Sequence, residues 1–130
     1  MAAGLRFENY ALERVENFPG FQSSTEEEDL KAGTDFYWYG VAIDVTLYQE
    51  KSSTEWVGSI ELACSRVHIG IRTGNGRVHF SQPVLVLCFE LLVPANSSGL
   101  RLAAEEIVVP LIEDAVGMLW DYEDAKEVTI

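Results

Sequence analysis

The clearest pattern in the chain is the alternation of apolar and polar side chains over residues 36–48. Every second residue from Tyr37 to Leu47 is apolar, as expected for one face of a β-strand. The opposite face carries Phe36, Trp38 and Tyr48, which is more apolar surface than a solvent-facing side needs. The segment therefore predicts a strand whose second face is covered by another element, a subunit or a bound polypeptide.

Two further segments favour strands. Residues 56–71 change apolar phase near Ser65 and Arg66, which indicates a β-bulge within one long strand. Residues 78–93 include an apolar run from 84 to 89, typical of a central strand covered on both faces. Between the two segments, residues 73–76 tolerate positive φ angles and predict a hairpin turn.

Residues 5–18 fit two structures, because their apolar positions begin with alternation and end at helical spacing. A strand with a phase break near Glu8 and Asn9 is favoured, since Phe7 and Tyr10 suit a pleated surface and no capping residue opens a helix there. The alternative is a short helix.

The C-terminal part of the chain is helical in pattern, with apolar residues at three- and four-residue steps over residues 102–122. Pro110 belongs in the first turn of this helix, or else kinks a longer one. Together, the segments predict a single α+β domain over residues 1–130. In it, an antiparallel sheet of about four strands packs against the C-terminal α-helix.

Composition agrees with one ordered core, because 48% of the 130 residues are hydrophobic and 23% are charged. Glu90, Pro94 and Glu105 interrupt the most apolar region, so no window is long enough for a membrane span. The N-terminal residues run directly into a charged stretch without the apolar core of a signal peptide. We therefore expect a cytoplasmic protein.

The net charge of −12 argues against direct binding to nucleic acid or to an anionic membrane, since like charges repel. The same charge favours encounter with a basic protein. Residues 20–34 form a polar, anionic stretch that predicts an exposed loop. This acidic loop is either a solvated segment or a docking loop for a basic partner; its acidic residues are Glu26, Glu27, Glu28 and Asp29.

A metal centre is not expected from the cysteines and histidines. Cys64 and His68 are separated by roughly 13 Å if the segment is extended, so they cannot share one metal unless Cys88 and His79 converge on them. The paired-cysteine spacing of structural zinc sites is absent. Both cysteines lie in apolar runs, which favours buried thiols over a disulfide.

Catalysis is also not expected, and no cofactor is predicted. Asp44, Glu61 and Glu90 fall in predicted strands and could approach one another, but single carboxylates on a half-exposed sheet face are the commoner case. A reactive thiol needs an electropositive, partly exposed setting, which apolar strands of an anionic protein do not supply. These observations favour a binding protein over an enzyme.

Residues 106–116, Glu-Ile-Val-Val-Pro-Leu-Ile-Glu-Asp-Ala-Val, resemble the helix start of the SecB family of export chaperones and their relatives in toxin–antitoxin–chaperone systems. Residues 5–10 are similar to that family's first strand. The resemblance implies a dimer or tetramer that binds unfolded polypeptides along apolar grooves.

Two functional hypotheses follow. The first is a SecB-like chaperone or peptide-binding module, a homo-oligomer that holds apolar polypeptide segments through Phe36, Trp38, Tyr48 and Trp56. The second is a small acidic inhibitor, such as a toxin-immunity or phage anti-defence protein, that blocks a basic or nucleic-acid-binding site of a partner protein. In the second case, Glu26, Glu27, Glu28 and Asp29 make the contacts.

Overall fold

The computed structural model describes residues 3–25, 33–47, 53–74 and 76–128. Tyr48 and the four acidic residues 26–29, all predicted to bind a partner, lie outside the described residues. The described helices are α1 (Ala3–Val15), α2 (Ser97–Glu105) and α3 (Val109–Val128). The described strands are β1 (Phe21–Ser23), β2 (Phe36–Trp38), β3 (Val41–Leu47), β4 (Thr54–Glu61), β5 (Ser65–Gly74) and β6 (His79–Leu91).

The strands form one sheet in the order β1-β2-β3-β6-β5-β4. Neighbouring strands are antiparallel except β3 and β6, which run parallel from the pair Ala42–Val84 to the pair Leu47–Phe89. The predicted α+β class is confirmed. The predicted antiparallel sheet of about four strands is wrong, because β4, β5 and β6 bring the chain back beside β3 in its own direction.

One hydrophobic cluster joins the three helices to one face of the sheet, called here the helix face. The ring of Phe7 in α1, for example, lies 5.0 Å from the ring of Phe89 in β6. Strand residues of this face include Ile43, Val45, Val67, Ile69, Leu85, Leu87 and Phe89. Side chains alternate along a strand, so residues between these point to the opposite face, called here the second face. No helix among the described residues is long and apolar enough to cross a membrane.

The predicted strand over residues 36–48 is instead a hairpin. Tyr39 and Gly40 both have positive φ angles, 48° and 83°, and form a two-residue turn between β2 and β3. The turn pairs Phe36 with Ile43, so Phe36 and Trp38 lie on the helix face with exposed fractions of 0% and 3%. Their burial comes from the helices, and not from a subunit or a bound polypeptide.

Two glycine substitutions are expected to change stability in opposite directions. A Cβ at Gly40 meets no atom within 4 Å, but its φ of 83° is unfavourable for any other residue, so Gly40→Ala should lower the free energy of unfolding by about 1 kcal/mol. Gly117 lies within α3, and a Cβ added there also meets no atom within 4 Å. Gly117→Ala should therefore raise the free energy of unfolding by about 0.5–1 kcal/mol, because alanine favours a helix more than glycine does. Urea unfolding measures both, and a shift in the same direction would contradict the backbone assignment of one of them.

The strand predicted over residues 5–18 is wrong, and most of this segment lies in α1, in agreement with the alternative of a short helix. Phe7, Ala11 and Val15 follow one another at four-residue steps, and all three are buried against the sheet. The sequence signal that favours the helix is Ala11, which completes this stripe although alanine is only weakly apolar. Phe21–Ser23, within the predicted acidic loop of residues 20–34, pairs with β2 as strand β1.

The predicted long strand over residues 56–71 is two strands, and the bulge predicted near Ser65 and Arg66 is wrong. The chain turns there, and the Leu62 N–H donates to the Ser65 carbonyl oxygen at 2.8 Å. Because the second strand restarts the alternation, the turn produces the same phase change as a bulge. The observed bulge lies earlier, between Trp56 and Gly58 in β4.

Other local predictions are confirmed. Strand β6 is central in the sheet and residues 84–89 are all buried, while a turn around Gly76 joins β6 to β5. Pro110 stands in the first turn of α3. The predicted single helix over residues 102–122 is divided, because α2 ends at Glu105 and α3 begins at Val109.

Candidate functional site

A half-buried carboxylate, that of Asp35, lies beside β3 just before β2 begins. The Asp35 N–H donates to the Ile43 carbonyl oxygen at 2.9 Å, and Asp35 Oδ2 accepts from the Val45 N–H at 2.8 Å. The side chain of Asp35 thus takes the place of a backbone carbonyl where the β2–β3 ladder ends. This satisfies a backbone donor that would otherwise cost free energy on burial.

Asp35 belongs to a group of three carboxylates with Glu8 of α1 and Asp44 of β3. One oxygen from each lies within 4.8 Å of the others. Burial, and then the negative charges of Asp44 and Glu8, raise the pKa of Asp35 to about 9. Asp35 therefore holds a proton at neutral pH and donates it in a hydrogen bond to Asp44.

Arg72 supplies the positive charge of this group from β5. Its Nη2 lies 3.2 Å from Asp44 Oδ2, and both side chains are buried. Gly33 approaches so closely that a Cβ there would lie 2.8 Å from Arg72 Nη1. The three oxygens are ligands that a hard cation such as Ca²⁺ accepts. However, the guanidinium of Arg72 and the proton on Asp35 already compensate the negative charge, as in a structural ion-pair network.

A second polar group lies on the second face, toward the other end of β6. Arg66 contacts Glu61 at 3.1 Å and Glu90 at 3.4 Å, and His68 Nε2 lies 3.6 Å from Glu90. Of the three carboxylates considered for catalysis, the structure thus brings Glu61 and Glu90 together around Arg66. Asp44 belongs to the other group.

The cysteines and histidines do not form one cluster. His68 pairs with Cys88 across β5 and β6, where Cys88 is fully buried and out of reach of a substrate. Cys64 precedes β5, whereas His79 pairs with Gly74 at its far end. These two positions are about 30 Å apart at the usual rise of a strand.

The outer edge of β4 is the longest unpaired strand edge in the described part of the chain. Such an edge presents a row of backbone N–H and C=O groups that another strand can pair with. Trp56 stands on the second face of this strand with an exposed fraction of 40%, and its ring centre lies 6.2 Å from that of His68.

On its helix face, the edge of β4 borders a groove against α3. The groove has a volume of about 390 Å³ and is lined by Val57, Met118, Asp121 and Tyr122. Val57 is the extra residue of the bulge. At the next residue, Gly58, a Cβ would lie 3.4 Å from Met118 Sδ, so the missing side chain lets α3 approach the strand closely. The hydroxyl of Tyr122 donates to the Glu55 carboxylate at one end.

The structure divides the predicted contact residues. It places Phe36 and Trp38 in the core, which removes them from any binding surface, and leaves Trp56 beside the β4 edge. The other lining residues of the groove were not predicted. Their sequence signal is weak, because Met118 and Tyr122 are four apart in α3 and read as ordinary core positions.

Comparison with protein-family models, curated proteins and solved structures finds no significant match to this chain. Residues 5–10, which resemble the first strand of the SecB family, lie in α1. Residues 106–116 span the break before α3 and its first two turns. The SecB-like function stays a prediction.

Proposed function

We propose that this protein is a non-catalytic binding protein that holds an extended polypeptide segment along the outer edge of β4. The bound segment adds a strand to the sheet, so that main-chain hydrogen bonds supply affinity and alternate side chains supply selectivity. The observation that carries this proposal is an unpaired strand edge among the described residues, bordered by an apolar groove on one face and by Trp56 on the other.

The two faces of the added strand meet different surfaces. Side chains on the helix face enter the groove formed by Val57, Met118 and Tyr122, and those on the second face lie beside Trp56. Full burial of a valine-sized side chain contributes about 1.5–3 kcal/mol, and each ordered side chain costs about 0.5–1.5 kcal/mol. A few such contacts fit moderate, reversible binding of a peptide.

This proposal keeps the peptide-binding part of the SecB resemblance and moves the contacts from Phe36 and Trp38 to Trp56 and the groove. A homo-oligomer also stays a prediction.

A second candidate function, a small acidic inhibitor of a basic partner protein, is supported by the outward side of α3. Glu113 and Asp124 are exposed there, and Trp120 has an exposed fraction of 59%. Binding through this surface would depend on charge and weaken steeply as salt concentration rises, whereas apolar contacts in the groove are insensitive to salt.

If the peptide binds at the β4 edge, Val57→Asp should weaken its affinity at least about ten-fold. The substitution removes an apolar contact that contributes at least about 1.4 kcal/mol. The probe is a fluorescein-labelled octapeptide of alternating Val and Gln, and the measurement is fluorescence anisotropy. Leu102→Asp, at an exposed apolar position of α2, is the matched control and should leave the affinity unchanged.

A second peptide serves as a control for the binding mode. An octapeptide of alternating Val and Pro lacks half of the backbone donors and cannot extend the sheet, so it should not bind. Equal binding of both peptides, or an equal effect of the two protein variants, would overturn the placement of the segment at β4.

A further inference from the structure

We infer that the segment bound at the β4 edge is cationic, with Lys or Arg alternating with apolar residues, and that it belongs to another protein. The inference rests on the proposed function and specifies the chemistry of its partner. Two features support it: the charges of α3 beside the groove, and the repulsion that a second copy of the chain, with its net charge of −12, would meet.

The side of α3 that faces the groove alternates acidic and apolar residues. Asp114, Met118 and Asp121 follow at i, i+4 and i+7, which places them on one side of the helix. Met118 and Asp121 line the groove itself. Asp114 and Asp121 are exposed, and neither makes an ion pair or a hydrogen bond with any described residue. Two carboxylates that have no partner among the described residues thus flank an apolar contact.

Strand β4 adds a glutamate near each of its ends. Glu55 accepts a hydrogen bond from Tyr122, and Glu61 contacts Arg66 at 3.1 Å. Lys126 lies with its Nζ 4.6 Å from the centre of the Tyr122 ring, and its pKa is raised first by a hydrogen bond to Tyr122 and, among smaller causes, by the charge of Glu55. Each of these glutamates thus already has a partner at its end of the edge, so Asp114 and Asp121 of α3 are the carboxylates that attract a cationic strand.

A second copy of this chain is a poor occupant of the edge. Glu55 and Glu61 lie on opposite faces of β4, so they would not meet across a pair of two β4 strands. The repulsion comes from the chain as a whole, because each copy brings a net charge of −12. A cationic strand instead meets Asp114 and Asp121 with favourable electrostatics, which selects a basic protein as the source of the segment.

The test compares three fluorescein-labelled octapeptides in which Val alternates with Lys, Gln or Glu. We expect the Val/Lys peptide to bind about ten-fold more tightly than Val/Gln at low salt, and Val/Glu to bind most weakly. At physiological salt, the double variant Asp114→Asn and Asp121→Asn should weaken Val/Lys binding about five-fold, as two exposed ion pairs imply, and leave Val/Gln binding unchanged.

The matched control is the double variant Glu113→Gln and Asp124→Asn. It removes the same number of charges from exposed positions of α3, but these two residues lie on the side of the helix that points away from the groove. It should change Val/Lys binding less than two-fold at physiological salt, because exposed charges beyond the Debye length of about 8 Å are largely screened.

The outcomes separate the inference from the proposed function. If the Val/Gln peptide binds as tightly as Val/Lys, or if the two double variants have equal effects, the inference that the bound segment is cationic is overturned. The proposal of peptide binding at the β4 edge is then retained. If none of the three peptides binds, the proposed function itself fails. If light scattering shows a dimer that Val57→Asp converts to monomer, the occupant is a second copy and the inference is overturned.

Discussion

The Asp35→Asn variant is expected to be more stable than the parent protein at neutral and alkaline pH, by a margin that grows until about pH 9. In the folded protein, burial and the charges of Asp44 and Glu8 raise the pKa of Asp35 from 3.8 to about 9. Between these two values the folded state binds one more proton than the unfolded state. The free energy of unfolding therefore falls as pH rises, by up to about 1.4 kcal/mol per pH unit.

Asparagine removes this pH dependence without removing the hydrogen bonds. Its carbonyl oxygen can accept from the Val45 N–H, and its amide can donate to Asp44 as the protonated Asp35 does. Near pH 3 the two proteins should have similar stability, because Asp35 is then protonated in the folded state and largely so in the unfolded state.

Urea unfolding at pH 5, 7 and 9 measures the effect. Asp124→Asn makes the same chemical change at an exposed position of α3 and should change the free energy of unfolding by less than about 0.5 kcal/mol at each pH. Parallel pH profiles for the parent and Asp35→Asn would show that Asp35 is ionised in the folded protein, contrary to its burial among carboxylates.

Phe36→Ala should lower the free energy of unfolding by about 3–5 kcal/mol, the usual cost of removing a buried aromatic ring. The ring of Phe36 has an exposed fraction of 0%, lies 5.4 Å from the ring of Phe21, and belongs to the pair with Ile43 in β3. Thermal or urea unfolding measures this loss. Phe36→Leu keeps most of the side-chain volume and should cost much less.

Trp56→Ala is the matched comparison, because it also removes an aromatic ring from the sheet but at a position with an exposed fraction of 40%. It should cost less than about half as much stability and should weaken peptide binding at the β4 edge. Phe36→Leu should bind the Val/Gln peptide as the parent does. A stable Phe36→Ala variant that no longer binds peptide would instead make Phe36 a surface contact.

The elements that could be predicted from sequence are those with a self-contained local pattern. Strand β6 is apolar on both faces because it is central, and Pro110 begins α3 because proline lacks the backbone donor that a helix interior requires. The turn around Gly76 follows from residues that tolerate positive φ. These features depend on a few neighbouring residues, so the chain sequence specifies them directly.

Two turns could not be read from the sequence, because alternation does not distinguish a continuous strand from two paired strands. The turn at Tyr39 and Gly40 leaves the alternation intact, yet it reverses the chain and moves Phe36 and Trp38 to the helix face. The turn before Ser65 changes the phase and therefore resembles a bulge. Only strand pairing, which is a tertiary property, separates these cases.

The sequence by itself determined an acidic α+β chain with a central apolar strand and a C-terminal helix. Tertiary structure decided the site. Val57 and Met118 are far apart in the chain and line one groove only because α3 packs on β4. Likewise, Asp35 keeps its proton only because folding buries it between two other carboxylates, and burial of a charge is a property of the folded state.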